Sequence, residues 1–154
     1  MKDYTRAINL ASEAQPELYL ERAQALSDEG TNYFTEAVKG LEEGMKRMGP
    51  LITLQLYAID LEAKQKSYDA ALARLDRVAA ASPRKETWLA RKGEILQLAG
   101  RPEQAADAFQ AALKAIAQLP DTRRYVPAMQ ELEKRIQAVL QALAKEKQAA
   151  KSTS

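Results

Sequence analysis

The chain has 154 residues, of which 46% are hydrophobic and 29% are charged, and it carries no histidine or cysteine. This composition is typical of a water-soluble globular domain, and a net charge of +2 is too small to indicate a nucleic-acid-binding protein. The missing residue types exclude disulfides, thiolate nucleophiles, Cys/His zinc sites and histidine-dependent triads.

The first residues form an amphipathic pattern that predicts a helix over residues 3–14. Tyr4, Ala7, Ile8 and Ala11 resemble the second helix of a hairpin whose first helix is missing. We therefore expect either a solitary N-terminal cap or a chain whose upstream residues were removed. The compartment stays open: the cytoplasm, or the periplasm if an upstream signal was removed. No apolar run approaches the roughly 18 residues that a membrane span needs.

The central part of the chain repeats itself at a spacing of about 35 residues. In each unit a bulky residue, a small one four positions later and an apolar one three after that mark one helix face. Further along, an alanine followed by a bulky residue marks the face of a second helix. Self-similarity at this period predicts stacked helical hairpins, each too small to bury its own apolar face. The aligned positions are Tyr19, Leu54 and Leu89; Ala23, Ala58 and Gly93; Leu26, Leu61 and Leu96; Ala37, Ala71 and Ala105.

Glycine and proline divide these units into three predicted hairpins, over about residues 16–50, 51–85 and 86–120. A last helix is predicted over residues 121–148, followed by a frayed tail over 149–154, so that residues 1–148 form a single domain. One side of this last helix is apolar, which fits a cap over the open face of the third hairpin. Its apolar seam consists of Tyr125, Met129, Leu132, Ile136, Val139 and Leu143.

The three units resemble the tetratricopeptide repeat, a helical hairpin of 34 residues. The third unit carries the resemblance best and departs from it at Ala117, where the family has proline. The resemblance implies an all-α, right-handed solenoid of helical hairpins that ends in the long capping helix. The matching residues of the third unit are Leu89, Gly93, Leu96, Ala105, Phe109 and Ala112.

The resemblance also implies a concave groove lined by the first helices of successive hairpins. Ile52 and Ile59 either form an exposed apolar patch there or pack beneath another element, and we expect Ile59 to be dispensable for the core. The lysine and asparagine that clamp a terminal carboxylate in some family members are replaced here by Leu20 and Gln24. The predicted partner-binding residues are Leu20, Gln24, Gln55, Ile59, Glu62, Ala90, Glu94 and Gln97.

No catalytic, metal or cofactor site is indicated by the sequence. Glu62 and Glu94 both fall at groove positions, but neither a nucleophile nor a ligand cluster accompanies them. The lysines near the C-terminus lack the interleaved aromatics of a nucleic-acid-binding segment. We predict a non-catalytic scaffold, a monomer or weak homo-oligomer, that binds a segment of a partner protein. The alternatives are self-association through the terminal helix and a regulatory or lid domain of a larger enzyme or assembly.

Overall fold

The computed structural model describes residues 2–11 and 13–153 and divides the chain into two units, residues 1–80 and 81–154. Both units are built from helices, as the repeat pattern predicts. The first unit contains α1 (Lys2–Leu10), α2 (Pro16–Glu29), α3 (Phe34–Met48), α4 (Ile52–Lys64) and α5 (Tyr68–Ala80). The second unit contains α6 (Lys85–Leu98), α7 (Pro102–Ala117), α8 (Asp121–Arg124) and α9 (Pro127–Ser152).

In the first unit, α2 pairs with α3 and α4 pairs with α5, which confirms the first two predicted hairpins. The two hairpins stack because α4 packs on both α2 and α3, while α1 packs on α2. The residues aligned by the repeat form one continuous apolar core. Its members are Ile8, Tyr19, Ala23, Leu26, Phe34, Ala37, Val38, Leu41, Leu54, Ala58 and Leu61.

In the second unit, α6 and α7 form the third hairpin, and α9 packs against α7. On α9 the buried residues Met129, Ile136 and Leu143 recur every seven positions and form the seam that faces the hairpin. Trp88, the only tryptophan of the chain, lies half-buried on α6. Its indole nitrogen is buried without a hydrogen-bond partner among the described residues.

The terminal helix differs from its predicted bounds of 121–148. The short α8 ends at Arg124 and α9 begins at Pro127, because proline has no N–H to donate and holds Val126 in an extended conformation (φ −70°, ψ 145°). Tyr125 lies in this break and is 58% exposed, so its predicted place in the apolar seam is wrong. At the other end α9 is helical to Ser152, where a frayed tail was predicted.

The first helix is also shorter than predicted, since α1 ends at Leu10 rather than at residue 14. Other boundaries follow local chemistry. Pro16 and Pro102 stand at the first positions of α2 and α7, where proline is tolerated. The α3 helix ends at Met48 and is followed by Gly49, whose φ of 93° favours glycine. No helix in the described ranges is long and apolar enough to cross a membrane.

Two hairpins close on a glycine that faces an aromatic ring. A Cβ atom added at Gly93 of α6 would lie 2.7 Å from the ring of Phe109 on α7. A Cβ atom added at Gly44 of α3 would lie 2.8 Å from the ring of Tyr19 on α2. Real Cβ atoms do not approach other heavy atoms so closely, so each ring fills space that only glycine leaves free.

We predict that Gly93→Ala lowers the free energy of unfolding by about 1–3 kcal/mol, because the rigid ring of Phe109 cannot yield to the added methyl group. The measurement is urea unfolding followed by circular dichroism. The control is Gly40→Ala, where the added atom meets the end of the flexible Arg22 side chain. That variant should change stability by less than about 1 kcal/mol. Equal losses in both variants would contradict the role assigned to the ring.

We also predict that deletion of residues 121–154 gives an insoluble or molten product. The deletion removes the three buried side chains of α9, each contributing roughly 1.5–3 kcal/mol, a large part of the stability of a small domain. The control deletes only residues 148–154, whose described members are all exposed, and should unfold cooperatively. Sedimentation and near-ultraviolet circular dichroism distinguish the two products. A shortened chain that remains monomeric and cooperative without residues 121–154 would show that α9 is not a cap.

Candidate functional site

The eight predicted groove residues differ widely in accessibility. Leu20 is half-buried, while Gln24 and Gln97 are exposed. Gln55 and Glu94 are half-buried and make ionic or polar contacts within their own units. The remaining three are buried and inaccessible to a partner in this conformation, namely Ile59, Glu62 and Ala90.

Ile59 is fully buried, with 0% of its surface exposed, so the expectation that it is dispensable for the core is wrong. Ile52, seven residues earlier on the same helix, remains 53% exposed. The sequence left open whether these two isoleucines are packed beneath another element or exposed. Ile59 is packed, and Ile52 is thus an exposed apolar side chain of α4.

A buried arginine organises the polar residues of the first unit. Arg74 of α5 is 5% exposed and donates from Nη2 to Glu62 Oε1 at 2.7 Å and from Nε to both oxygens of that carboxylate at 3.1 Å. It also donates from Nη1 to Gln55 Oε1 at 3.2 Å and from Nη2 to Glu42 Oε1 at 2.8 Å. The guanidinium thus joins α5 to α4, its hairpin partner, and to α3 of the preceding hairpin.

The charge of Arg74 is stabilised by the groups around it. Burial lowers the pKa of its guanidinium, but hydrogen bonds and attraction from Glu62 and Glu42 raise it by more, so the pKa lies above the ordinary arginine value. A raised pKa means that this group stabilises the folded state fully below the ordinary arginine pKa. The contribution is lost only as the pH rises through the still higher folded-state value.

The sequence carried a signal for this arginine that the groove assignment did not use. On α5 the residues Ala71, Leu75 and Val78 are buried on one face, and Arg74 lies on the same face at the i+3 position after Ala71. A charged residue on a buried stripe requires a partner of opposite charge. Glu62, which the register assigned to the groove, and Glu42 of α3 are those partners.

Other polar contacts anchor the first helices. The hydroxyl groups of Ser27 on α2 and Tyr57 on α4 lie 2.7 Å apart, which links the first helices of two successive hairpins. The Arg47 guanidinium donates to the Tyr19 hydroxyl at 2.7 Å, so the ring that faces Gly44 is held at its polar end as well. These contacts leave Leu20, Gln24 and Ile52 as the accessible predicted side chains of α2 and α4.

In the second unit the predicted residues lie on α6. Glu94 accepts a hydrogen bond from Arg91 at 2.9 Å and a longer one from Arg135 of α9 at 3.4 Å, so its carboxylate lies between two cations. Gln97 is exposed, whereas Ala90 is buried in the hairpin. Among residues 2–11 and 13–153 no group of three or more acidic side chains is placed to hold a metal ion.

The structure consists of paired helices with small residues where they cross, and the comparison with known families agrees with this arrangement. The model of a tetratricopeptide repeat-like domain matches residues 28–145. The chain belongs to the tetratricopeptide repeat-like family. The match begins within the first hairpin of this tetratricopeptide repeat-like protein and ends in α9.

Two solved structures share the fold. PcrH from Pseudomonas aeruginosa superposes with a TM-score of 0.64 at 17% identity, covering 87% of this chain and 95% of that one. PcrH in complex with the chaperone binding region of PopD gives a TM-score of 0.61 at 19% identity, covering 89% and 99%. No curated protein matches the chain. Identities this low establish likeness of fold and nothing finer.

We predict that Arg74→Met lowers the free energy of unfolding by about 3–5 kcal/mol, because it leaves the Glu62 carboxylate buried without its counter-ion. The matched control is Arg77→Met on the same helix, where the arginine is exposed and the loss should stay within about 0.5 kcal/mol. Urea unfolding followed by circular dichroism compares the two. If Arg74→Met is as mild as Arg77→Met, the ion pair does not stabilise the first unit.

Proposed function

We propose that this chain is a non-catalytic interaction module that holds a segment of a partner protein against the first helices of its hairpins. The observation that carries the proposal is membership of the tetratricopeptide repeat-like family over residues 28–145. The same fold in PcrH accommodates the chaperone binding region of PopD, which supports a peptide-like ligand for this chain as well.

The accessible side chains suit an extended or helical segment. Gln24 on α2 and Gln97 on α6 are exposed amides that can exchange hydrogen bonds with the backbone of a bound peptide. Leu20 and Ile52 offer apolar surface for an anchoring side chain of the partner. Ile52 thus takes the anchoring role that the register first gave to Ile59.

The acidic residues favour binding over catalysis. A carboxylate pair that performs acid–base chemistry needs one member free to exchange protons with a substrate. Glu62 is buried against Arg74, and Glu94 lies between Arg91 and Arg135. We therefore assign both carboxylates a structural role, as ion-pair partners within their own units.

Site-specific photo-crosslinking tests the proposal in cells that carry the native gene of this chain. A photoreactive residue is placed at Gln24 or Gln97, and the controls carry it at Lys46 or Lys114, which are exposed on second helices. In each unit we expect a partner protein to be captured at the groove position and not at the control position of the same unit. Capture that is absent at the groove positions, or equal at all four, would refute the proposal. An adduct of twice the chain mass would favour self-association.

Substitutions then test the chemistry of the groove once the partner is known. Ile52→Asp should weaken its binding at least about tenfold, since an apolar anchor cannot be replaced by a charge without loss. Leu10→Asp is the matched control, because Leu10 is 74% exposed but lies outside the predicted groove. Both variants should keep the parental melting temperature. Equal effects of the two substitutions on binding would place the contact elsewhere.

A further inference from the structure

In the first unit, Arg74 occupies only one half of the side-chain amide of Gln55. The guanidinium Nη1 donates to Gln55 Oε1 at 3.2 Å. Because a guanidinium has donors and no acceptor, the amide must turn its oxygen towards Arg74 and its nitrogen away. The Nε2 atom of Gln55 has no hydrogen-bond partner among the described residues, and it is not one of the buried atoms that lack a partner. Its N–H groups are therefore donors that reach the surface of α4.

The direction of this amide is fixed because Arg74 cannot turn. Its Nε and Nη2 atoms both bind the Glu62 carboxylate, and Nη2 also binds Glu42. The side chains of Arg74 and Glu62 are each 6% exposed. A planar guanidinium that is held at two of its nitrogens keeps the direction of the third. Gln24 differs, since its side chain is exposed and makes no hydrogen bond to a described residue, so its amide can turn either way.

The fixed donor has an apolar neighbour on the same helix. Ile52 lies three residues before Gln55 and is 53% exposed. Residues at this spacing are neighbours on a helix surface, with Cβ atoms roughly 5–6 Å apart. An apolar side chain of a partner that packs on Ile52 therefore brings the polar groups next to it within reach of Gln55. An amide that can turn matches either an N–H or a carbonyl group, whereas a fixed N–H donor matches only an acceptor. A partner N–H placed there would stay unpaired.

We propose that Gln55 is a specificity-determining residue of the first unit and that Arg74 is the residue that positions it. The segment bound there must then present a carbonyl or carboxylate oxygen next to an apolar side chain. Arg74 thereby serves recognition as well as stability, although it does not contact the partner itself. The inference rests on the proposed binding of a partner segment by the first helices, because a donor on a face that binds nothing selects nothing.

Nuclear magnetic resonance of the full chain tests the fixed amide without a ligand. Nitrogen relaxation of the side-chain amides should show restricted motion for Gln55 and fast internal motion for Gln24. In Arg74→Lys the Gln55 amide should become as mobile as that of Gln24, because a lysine ammonium cannot hold Glu62 and Gln55 in one rigid fork. The comparison within the native chain stands even if that variant unfolds. Equal mobility of the two amides in the native chain would overturn the proposal.

A phage-displayed library of random peptides provides the probe for recognition. Peptides enriched on the native chain are kept if Ile52→Asp abolishes their binding. Gln55→Glu leaves one oxygen for Arg74 and replaces the N–H donors by a second oxygen, so these peptides should bind at least about tenfold more weakly. The matched control is Gln65→Glu, which adds the same charge just after α4 and keeps the hydrogen bond from Thr35. It should bind like the native chain, and both variants should keep the parental melting temperature.

A double-mutant cycle separates positioning from a purely structural role. Arg74→Lys should weaken peptide binding in the native background but cause no further loss in the Gln55→Glu background, because the donor that Arg74 positions is already absent. A purely structural role of Arg74 would cost the same affinity in both backgrounds.

The outcomes distinguish this inference from the proposed function. Peptides that require Ile52 but bind Gln55→Glu as tightly as the native chain would overturn the role of Gln55 and leave peptide binding intact. Enriched peptides that are all insensitive to Ile52→Asp would do the same, since recognition would then occur on another surface. A library from which the native chain enriches no peptide would count against the proposed function, and this inference would fall with it.

Discussion

The close approach of two helices within each hairpin is the constraint on which the rest of the structure depends. In the second unit Gly93 leaves the space that the ring of Phe109 fills, and in the first unit Gly44 does so for Tyr19. The contact brings the apolar stripes of paired helices together, so that each hairpin presents a joint surface to the next element. Stacking, capping by α9 and the accessible faces of the first helices all follow from this fit.

A second constraint comes from Arg74, whose polar contacts inside the first unit occupy side-chain atoms that could otherwise contact a ligand. Its guanidinium joins residues from three helices and two hairpins of the first unit, and two of its partners, Gln55 and Glu62, occupy positions that the family register assigns to a ligand groove. The repeat register therefore gives the helix face on which a residue lies, whereas ion pairs and hydrogen bonds with neighbouring residues determine which of its side-chain atoms are available to a ligand. Among the positions that the register assigns to the first helices of this unit, Leu20, Gln24 and Ile52 keep accessible side chains.

Much of the fold could be predicted from the sequence, because its repeats mark the helix faces directly. The aligned rows from Tyr19 to Ala105 identified the hairpins, and proline and glycine placed most boundaries. The break before Pro127 was missed because the apolar spacing of Tyr125 and Met129 fits one continuous helix as well as an interrupted one. Ile59 was misplaced for a related reason: periodicity defines the side of a helix, but the depth of burial depends on neighbours distant in sequence. The candidate site was therefore predicted less well than the fold.

Trp88 gives the chain a built-in optical reporter. It is the only tryptophan and lies in the second unit, while five of the six tyrosines lie in the first. Fluorescence excited selectively through indole therefore reports on the second unit alone. The circular dichroism of the backbone amides in the far ultraviolet comes from both units. Because the Trp88 ring is half-buried, its emission should move to longer wavelength when α6 opens to water. If the two signals change together during denaturation, the chain unfolds in one cooperative step. If they change separately, the two units unfold in two stages.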